Sequence, residues 1–117
     1  MRSRRADRLL VEDMLEAMVR IAGYIAGMER EEFLSDRKTI DAVVRNLEVV
    51  GEAASRLTDA ARNRRSDIEW PLIIALRNRI VHEYFGIDSE IVWEIIAHDL
   101  PALTPTLTTF LAQLPGD

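Results

Sequence analysis

The chain contains no cysteine. That excludes disulfides, thiolate metal sites and a cysteine nucleophile, and it accords with a cytosolic setting. It also lacks any continuous apolar run approaching the roughly 18 residues that a membrane span requires. The opening MRSRRADRLL is basic, but it leads into an amphipathic pattern instead of the apolar core of a signal peptide. A soluble, cytoplasmic protein with no membrane partner is expected. Excess positive charge is missing too: the formal net charge is −5. Proteins that coat nucleic acid present a broad basic surface, so any contact with RNA here must be local, and no DNA specificity is expected. The arginines that are present cluster as Arg2, Arg4, Arg5 and Arg8, as Arg56, Arg62, Arg64 and Arg65, and as Arg77 with Arg79. Such patches suit a focused phosphate site and solvated helix faces about equally well.

Strand-type alternation and internal repeats are likewise absent, whereas helical periodicity is strong. From Asp7 to Met28 the residues Leu9, Leu10, Met14, Leu15, Met18, Val19, Ala22 and Ile25 recur at three-and-four spacing. Glu31 to Leu34 reads as a short helical turn, and Ser35 or Asp36 can cap the helix that follows. That helix, Asp36 to Leu57, carries Ile40, Val43, Val44, Leu47, Val50, Ala54 and Leu57 as one stripe, with Val49 and Ala53 widening the arc. An arc this wide predicts contact with another helix or a second subunit. Arg45 can pair with Asp41 and Glu48 along the helix; alternatively Arg45 or Glu52 faces a functional site. Asn46 borders the apolar arc, where an amide must be hydrogen-bonded, as a structural contact or as part of a site. Thr58 to Glu69 reads as a polar loop with at most a turn of helix. Asp88 can cap a helix carrying Ile91, Val92, Ile95 and Ile96. Pro101 implies a kink or restart near Asp99, Pro105 falls in or near a turn, and a last helix runs to about Leu114. Trp70 and Trp93 are read as packing anchors and His98 as structural. With 117 residues there is room for a single domain, and the expected architecture is all-α, an antiparallel bundle of four or five helices.

The most informative stretch is WPLIIALRNRIVHEYFGID, Trp70 to Asp88. It reads as a helix from Trp70 to about Tyr84, with Pro71 suited to its first turn. An apolar run gives way to Arg77, Asn78 and Arg79, and then to His82 and Tyr84. A fixed cation, an amide, a group titrating near neutrality and a phenol lie within eight residues, and that set suits a phosphodiester. On a continuous helix Asn78 and His82 share a face, while Arg77 and His82 lie roughly 140° apart. Arg79 and Glu83 could form a simple surface ion pair. Neither histidine has a convincing metal-ligand spacing from the acidic residues, so no metal or other cofactor is expected.

Arg77-Asn78-Arg79-Ile80-Val81-His82-Glu83-Tyr84 resembles the signature of HEPN-domain ribonucleases. The four residues between Arg77 and His82, with Tyr84 two beyond, resemble the HepT toxins in particular. The blocks DRKTIDAVVRNLEVVGEAASRL and IDSEIVWEIIAHDLPAL are similar to that family as well. The resemblance implies a two-fold homodimer with a metal-independent RNA-cleaving site at its interface. Arg77 and His82 are the expected catalytic pair, with Asn78 orienting the phosphate or the imidazole, and Arg45, Asn46, Glu52 and Arg79 are candidates for support. The resemblance further implies a type II toxin–antitoxin system in which an MntA-type nucleotidyltransferase antitoxin attaches AMP to Tyr84. The rival expectation is a non-catalytic helical dimer that binds a nucleotide or partner through the same residues.

Overall fold

The computed structural model describes residues 4–82 and 86–115, with side chains from residue 6 and excluding that of His82. Two long helices, α1 (Arg4–Tyr24) and α3 (Arg37–Arg56), pack along their lengths and form the trunk. They run antiparallel, since Asp7 near the start of α1 meets Thr58 just past the end of α3. The long last helix α8 (Leu100–Gln113) lies antiparallel to α1, and the Arg8 guanidinium donates to the Leu111 carbonyl at its end. Short helices complete the bundle: α2 (Arg30–Leu34), α4 (Asp59–Arg64), α5 (Trp70–Ile74), α6 (Leu76–Ile80) and α7 (Ser89–Glu94). This is the expected all-α architecture.

Apolar periodicity translates directly into the core. Val11, Met14, Ala17 and Ile21 of α1 meet Val43, Leu47, Val50 and Ala54 of α3, closed by Leu107 and Phe110 of α8. Burying each large side chain contributes about 1.5–3 kcal/mol, which is why the trunk needs no covalent staple. Asp7 is a buried carboxylate, but it is satisfied: Thr58 donates to it from both its backbone N–H and its hydroxyl, at 2.9 and 2.7 Å. Thr58 in turn caps α4 by accepting from the Ala61 N–H. Of the two candidate caps for α3, Asp36 is the one used; its carboxylate accepts from the Thr39 N–H and hydroxyl, which hold its pKa below the ordinary aspartate value. Asp88 caps α7 as expected. Trp70 is buried, donates its indole N–H to the Arg62 and Arg65 carbonyls and leans on Phe110, while Trp93 packs against Phe33.

Four expectations need correction. First, α1 spans Arg4–Tyr24, three residues earlier at its start and four at its end than the periodicity implies; Gly27, at φ +78°, turns the chain just beyond it. Second, the helix expected from Trp70 to Tyr84 is two short helices that break at Ala75 and end at Ile80; Tyr84 itself lies outside the described residues. Third, strand is present: β1 (Val81–His82) pairs antiparallel with β2 (Gly86–Ile87), Val81 opposite Ile87 and His82 opposite Gly86. The β-branched pair Ile80-Val81 disfavours further helix, Gly86 adopts φ +75°, and the Asp88 N–H closes the return on the Ile80 carbonyl at 2.7 Å. Fourth, Pro105 lies inside α8 and not in a turn. A proline there costs about 3 kcal/mol, but burial of Leu107, Phe110 and Leu114 downstream offsets it. The irregularity expected at Pro101 is a π-helical segment, Ile95–Asp99, in which the Leu100 N–H reaches back five residues to the Ile95 carbonyl.

Candidate functional site

The polar stripe of α3 faces the α5–α6 break across a groove of about 640 Å³. Its polar lining includes Arg45, Glu48, Glu52 and Arg56 from α3, Arg77 and Asn78 from α6, and Asp13 from α1. Residues more than twenty positions apart in sequence thus converge because α6 is brought down onto α3. Gly51 permits that approach: a Cβ there would lie 3.1 Å from the Ile73 carbonyl oxygen and 3.4 Å from that of Ile74. The backbone of α5 rests almost directly on that of α3, and Leu76 is buried alongside.

Within the groove, Arg77 and Asn78 are exposed. The Arg77 Nε donates to Glu48 Oε2 at 3.1 Å, with the arginine side chain 69% exposed and the glutamate 36%. Glu48 is the anchored member and Arg77 the one that reaches out. The two terminal nitrogens of Arg77 have no partner among the described residues. Arg45 pairs with neither Asp41 nor Glu48, because Asp41 is taken by Arg37 and Glu48 by Arg77. Arg45 stays an exposed cation at the rim, one turn before Glu48. Glu52 pairs with Arg56 at 3.1 Å. A guanidinium with two open N–H faces and a second arginine nearby can bind a phosphate through charge-assisted hydrogen bonds.

Not every expected residue joins this groove. Asn46 is buried and turned inward, its side-chain nitrogen donating to the Ala42 carbonyl at 2.9 Å; it is a satisfied structural contact. Arg79 leaves the other side of α6 and meets Asp99 at 3.3 Å, beside a separate hollow lined by Asp67, Glu69 and Leu72. His98 is exposed and lies 3.7 Å from Glu94. His82 no longer shares a helix face with Asn78, since α6 ends at Ile80; the roughly 140° separation from Arg77 on a continuous helix therefore does not apply. The two-residue ladder fixes the His82 backbone just past Arg77 instead. Two contributors escape a reading of sequence alone. Glu48 reads by spacing as a partner for Arg45, and Gly51 carries no signal in the helical periodicity. Among the described residues no three acidic or imidazole groups gather closely enough to hold a metal ion, and no helix is long and apolar enough to cross a membrane.

Comparison with known proteins meets this geometry. The family model described as Ribonuclease HepT-like matches residues 14–110, from α1 to α8, which takes in the motif and the groove lining from α3 and α6. A protein of Methanocaldococcus jannaschii named "Putative RNase MJ0127" is 34% identical over 110 residues, spanning 94% of this chain and 91% of its own length. "Probable ribonuclease HepT" of Thermococcus cleftensis is 32% identical over 100 residues, 86% of this chain and 91% of that one. No solved structure gives a significant match. A family model matching most of the chain, with relatives above 30% identity over most of both lengths, places this chain in the ribonuclease HepT-like family of HEPN proteins.

Proposed function

We propose that the protein is a metal-independent ribonuclease of the HepT toxin type, acting as a homodimer. The observation that carries the reading is the convergence of Arg77, Asn78 and Arg45 on one groove, in a chain of this family. The ribose 2′-oxygen attacks the adjacent phosphorus, the bond to the 5′-oxygen breaks, and the products are a 2′,3′-cyclic phosphate and a 5′-hydroxyl. His82, with an unperturbed pKa of about 6.5, takes the 2′-hydroxyl proton or supplies the leaving oxygen with one. Arg77 binds the phosphate and offsets charge gathering on its non-bridging oxygens, while Asn78 orients it. One His82 per chain is short of the two groups that a complete acid–base cycle uses, and a two-fold dimer supplies the second. Ile74, 37% exposed in the groove, and Leu9 and Val19, 52% and 68% exposed along a second hollow on α1, offer apolar surface for such an interface.

In this reading the activity belongs to a type II toxin–antitoxin pair, in which a nucleotidyltransferase antitoxin attaches AMP to Tyr84. Phosphate charge and bulk two residues from His82 would then repel and obstruct RNA. The test uses protein of verified unmodified mass, incubated with total RNA in EDTA. Cleavage leaving 2′,3′-cyclic ends is expected, and it should be lost after treatment with a nucleotidyltransferase of the MntA type and ATP, except in Tyr84→Phe. Intact RNA across several classes would instead favour a helical module that binds without cutting.

A further inference from the structure

We infer that Glu48 is a positioning residue that sets the orientation of the Arg77 guanidinium, so that its two terminal nitrogens present together to one phosphate. The inference rests on the ribonuclease reading for its purpose, but on geometry for its substance. Glu48 takes the Nε of Arg77, the one position on a guanidinium that leaves the opposite edge, with both terminal nitrogens, open. A carboxylate gripping a terminal nitrogen would have competed directly with the phosphate. Glu48 is able to act as the fixed point because it is half-buried on the longest contact in the molecule, α3 against α1, whereas Arg77 leaves a five-residue helix. Neighbouring charge does not blur the assignment. Arg45 and Arg56 are the other groove cations; Arg56 is engaged by Glu52, and Arg45 leaves Glu48 free for Arg77.

The placement carries a cost that gives the idea a distinctive signature. Glu48 sets a negative charge beside the phosphate site, so it opposes binding of RNA while it orients the group that acts on it. Replacing Glu48 by Gln keeps an oxygen acceptor for Nε but removes the charge. The expected result is a split: KM for RNA falls about threefold as the repulsion is relieved, while kcat falls about tenfold, because the neutral amide oxygen holds Nε less firmly than the carboxylate and the guanidinium angle loosens. Glu48→Ala should lower kcat further, with little change in thermal midpoint, because an exposed ion pair contributes little to stability. A merely structural role would lower the midpoint and spare the split.

A spectroscopic arm makes the inference independent of turnover. In 15N spectra of the full chain, the Arg77 Nε–H signal, assigned by its loss in Arg77→Lys, should exchange with water more slowly than those of unpaired surface arginines. It should also respond to added inorganic phosphate. In Glu48→Ala that protection should vanish. An Arg77 signal identical in parent and Glu48→Ala overturns the inference whether or not RNA is cut. Unchanged kcat and KM in Glu48→Gln, in a parent that does cut, overturns it as well. Absence of cleavage by the parent, with the protected signal present, counts against the ribonuclease reading alone.

Discussion

His82→Ala should leave a folded chain that no longer cuts RNA, with turnover reduced about 10²- to 10⁴-fold, the range a general acid or base supplies. The fold should survive because the core is built elsewhere. Residues of the helices fill it, and β1 contributes only an exposed Val81 and the His82 backbone. Arg77→Ala belongs to the same experiment, since loss of one donor to a developing oxyanion typically costs about 10²- to 10³-fold in kcat. Among the described residues Arg77 makes one ion pair, and it is well exposed, so this change too should be nearly silent in thermal melting. Arg77→Lys should recover only part of the loss, because an ammonium restores charge without the two-pronged geometry. Circular dichroism and turnover on one RNA substrate, measured for all three variants, separate folding from chemistry. Cleavage by His82→Ala at the parental rate would remove His82 from the reaction and return the site to a binding role.

Gly51→Val should damage stability and activity together, although position 51 touches no substrate in the proposed mechanism. The glycine is buried, and the space its missing Cβ leaves is occupied by two backbone carbonyls of α5 at 3.1 and 3.4 Å. Backbone cannot swing aside as a side chain does. Overpacking of this kind costs about 1–3 kcal/mol, and for a domain of this size each kcal/mol lowers the thermal midpoint by about 3–6 °C. The displaced α5 carries α6 with it, and a shift of about 1 Å in Arg77 and Asn78 is enough to lower kcat by roughly 10²-fold. Gly51→Ala is the informative control. Alanine gains up to about 1 kcal/mol in helix propensity, set against a contact that only a few tenths of an ångström would relieve, so it should stay close to the parent in stability. A valine variant that melts and turns over like the parent would mean that α5 does not rest on α3 as described.

How far the sequence anticipates this molecule depends on the range of the forces involved. Helix faces and the Asp36 and Asp88 caps follow from neighbours within a turn or two, and all are legible. The motif stands out in the sequence, but its setting does not. Nothing local announces that the chain breaks at Ala75, just past the point where α5 rests on Gly51 of another helix, more than twenty residues away. The same holds for Glu48, whose partner Arg77 lies 29 positions on, beyond any periodicity argument. Arg45 and Glu48 sit one turn apart and invited pairing; the fold gives Glu48 to Arg77 and leaves Arg45 exposed in the groove. Asn46 was ambiguous because a bordering amide can turn either way, and only the Ala42 carbonyl decides it.

Arg77 and His82 are five residues apart, yet they belong to elements that come undone by different routes. Arg77 rides on α6, anchored by the buried Leu76 and Ile80. The His82 backbone is held by a ladder of two residue pairs on the rim of the bundle. Opening so short a ladder exposes little apolar surface, so its free energy lies at the low end of the spectrum of partial unfolding, far below that of the α1–α3 trunk. The two halves of the motif can therefore separate while every buried residue stays in place. Heat or mild denaturant should abolish the competent arrangement before the bundle melts, and amide exchange at Ile87 should be faster than at Leu47 under the same conditions. A nuclease built this way idles through a local equilibrium at its edge, not through the stability of its core.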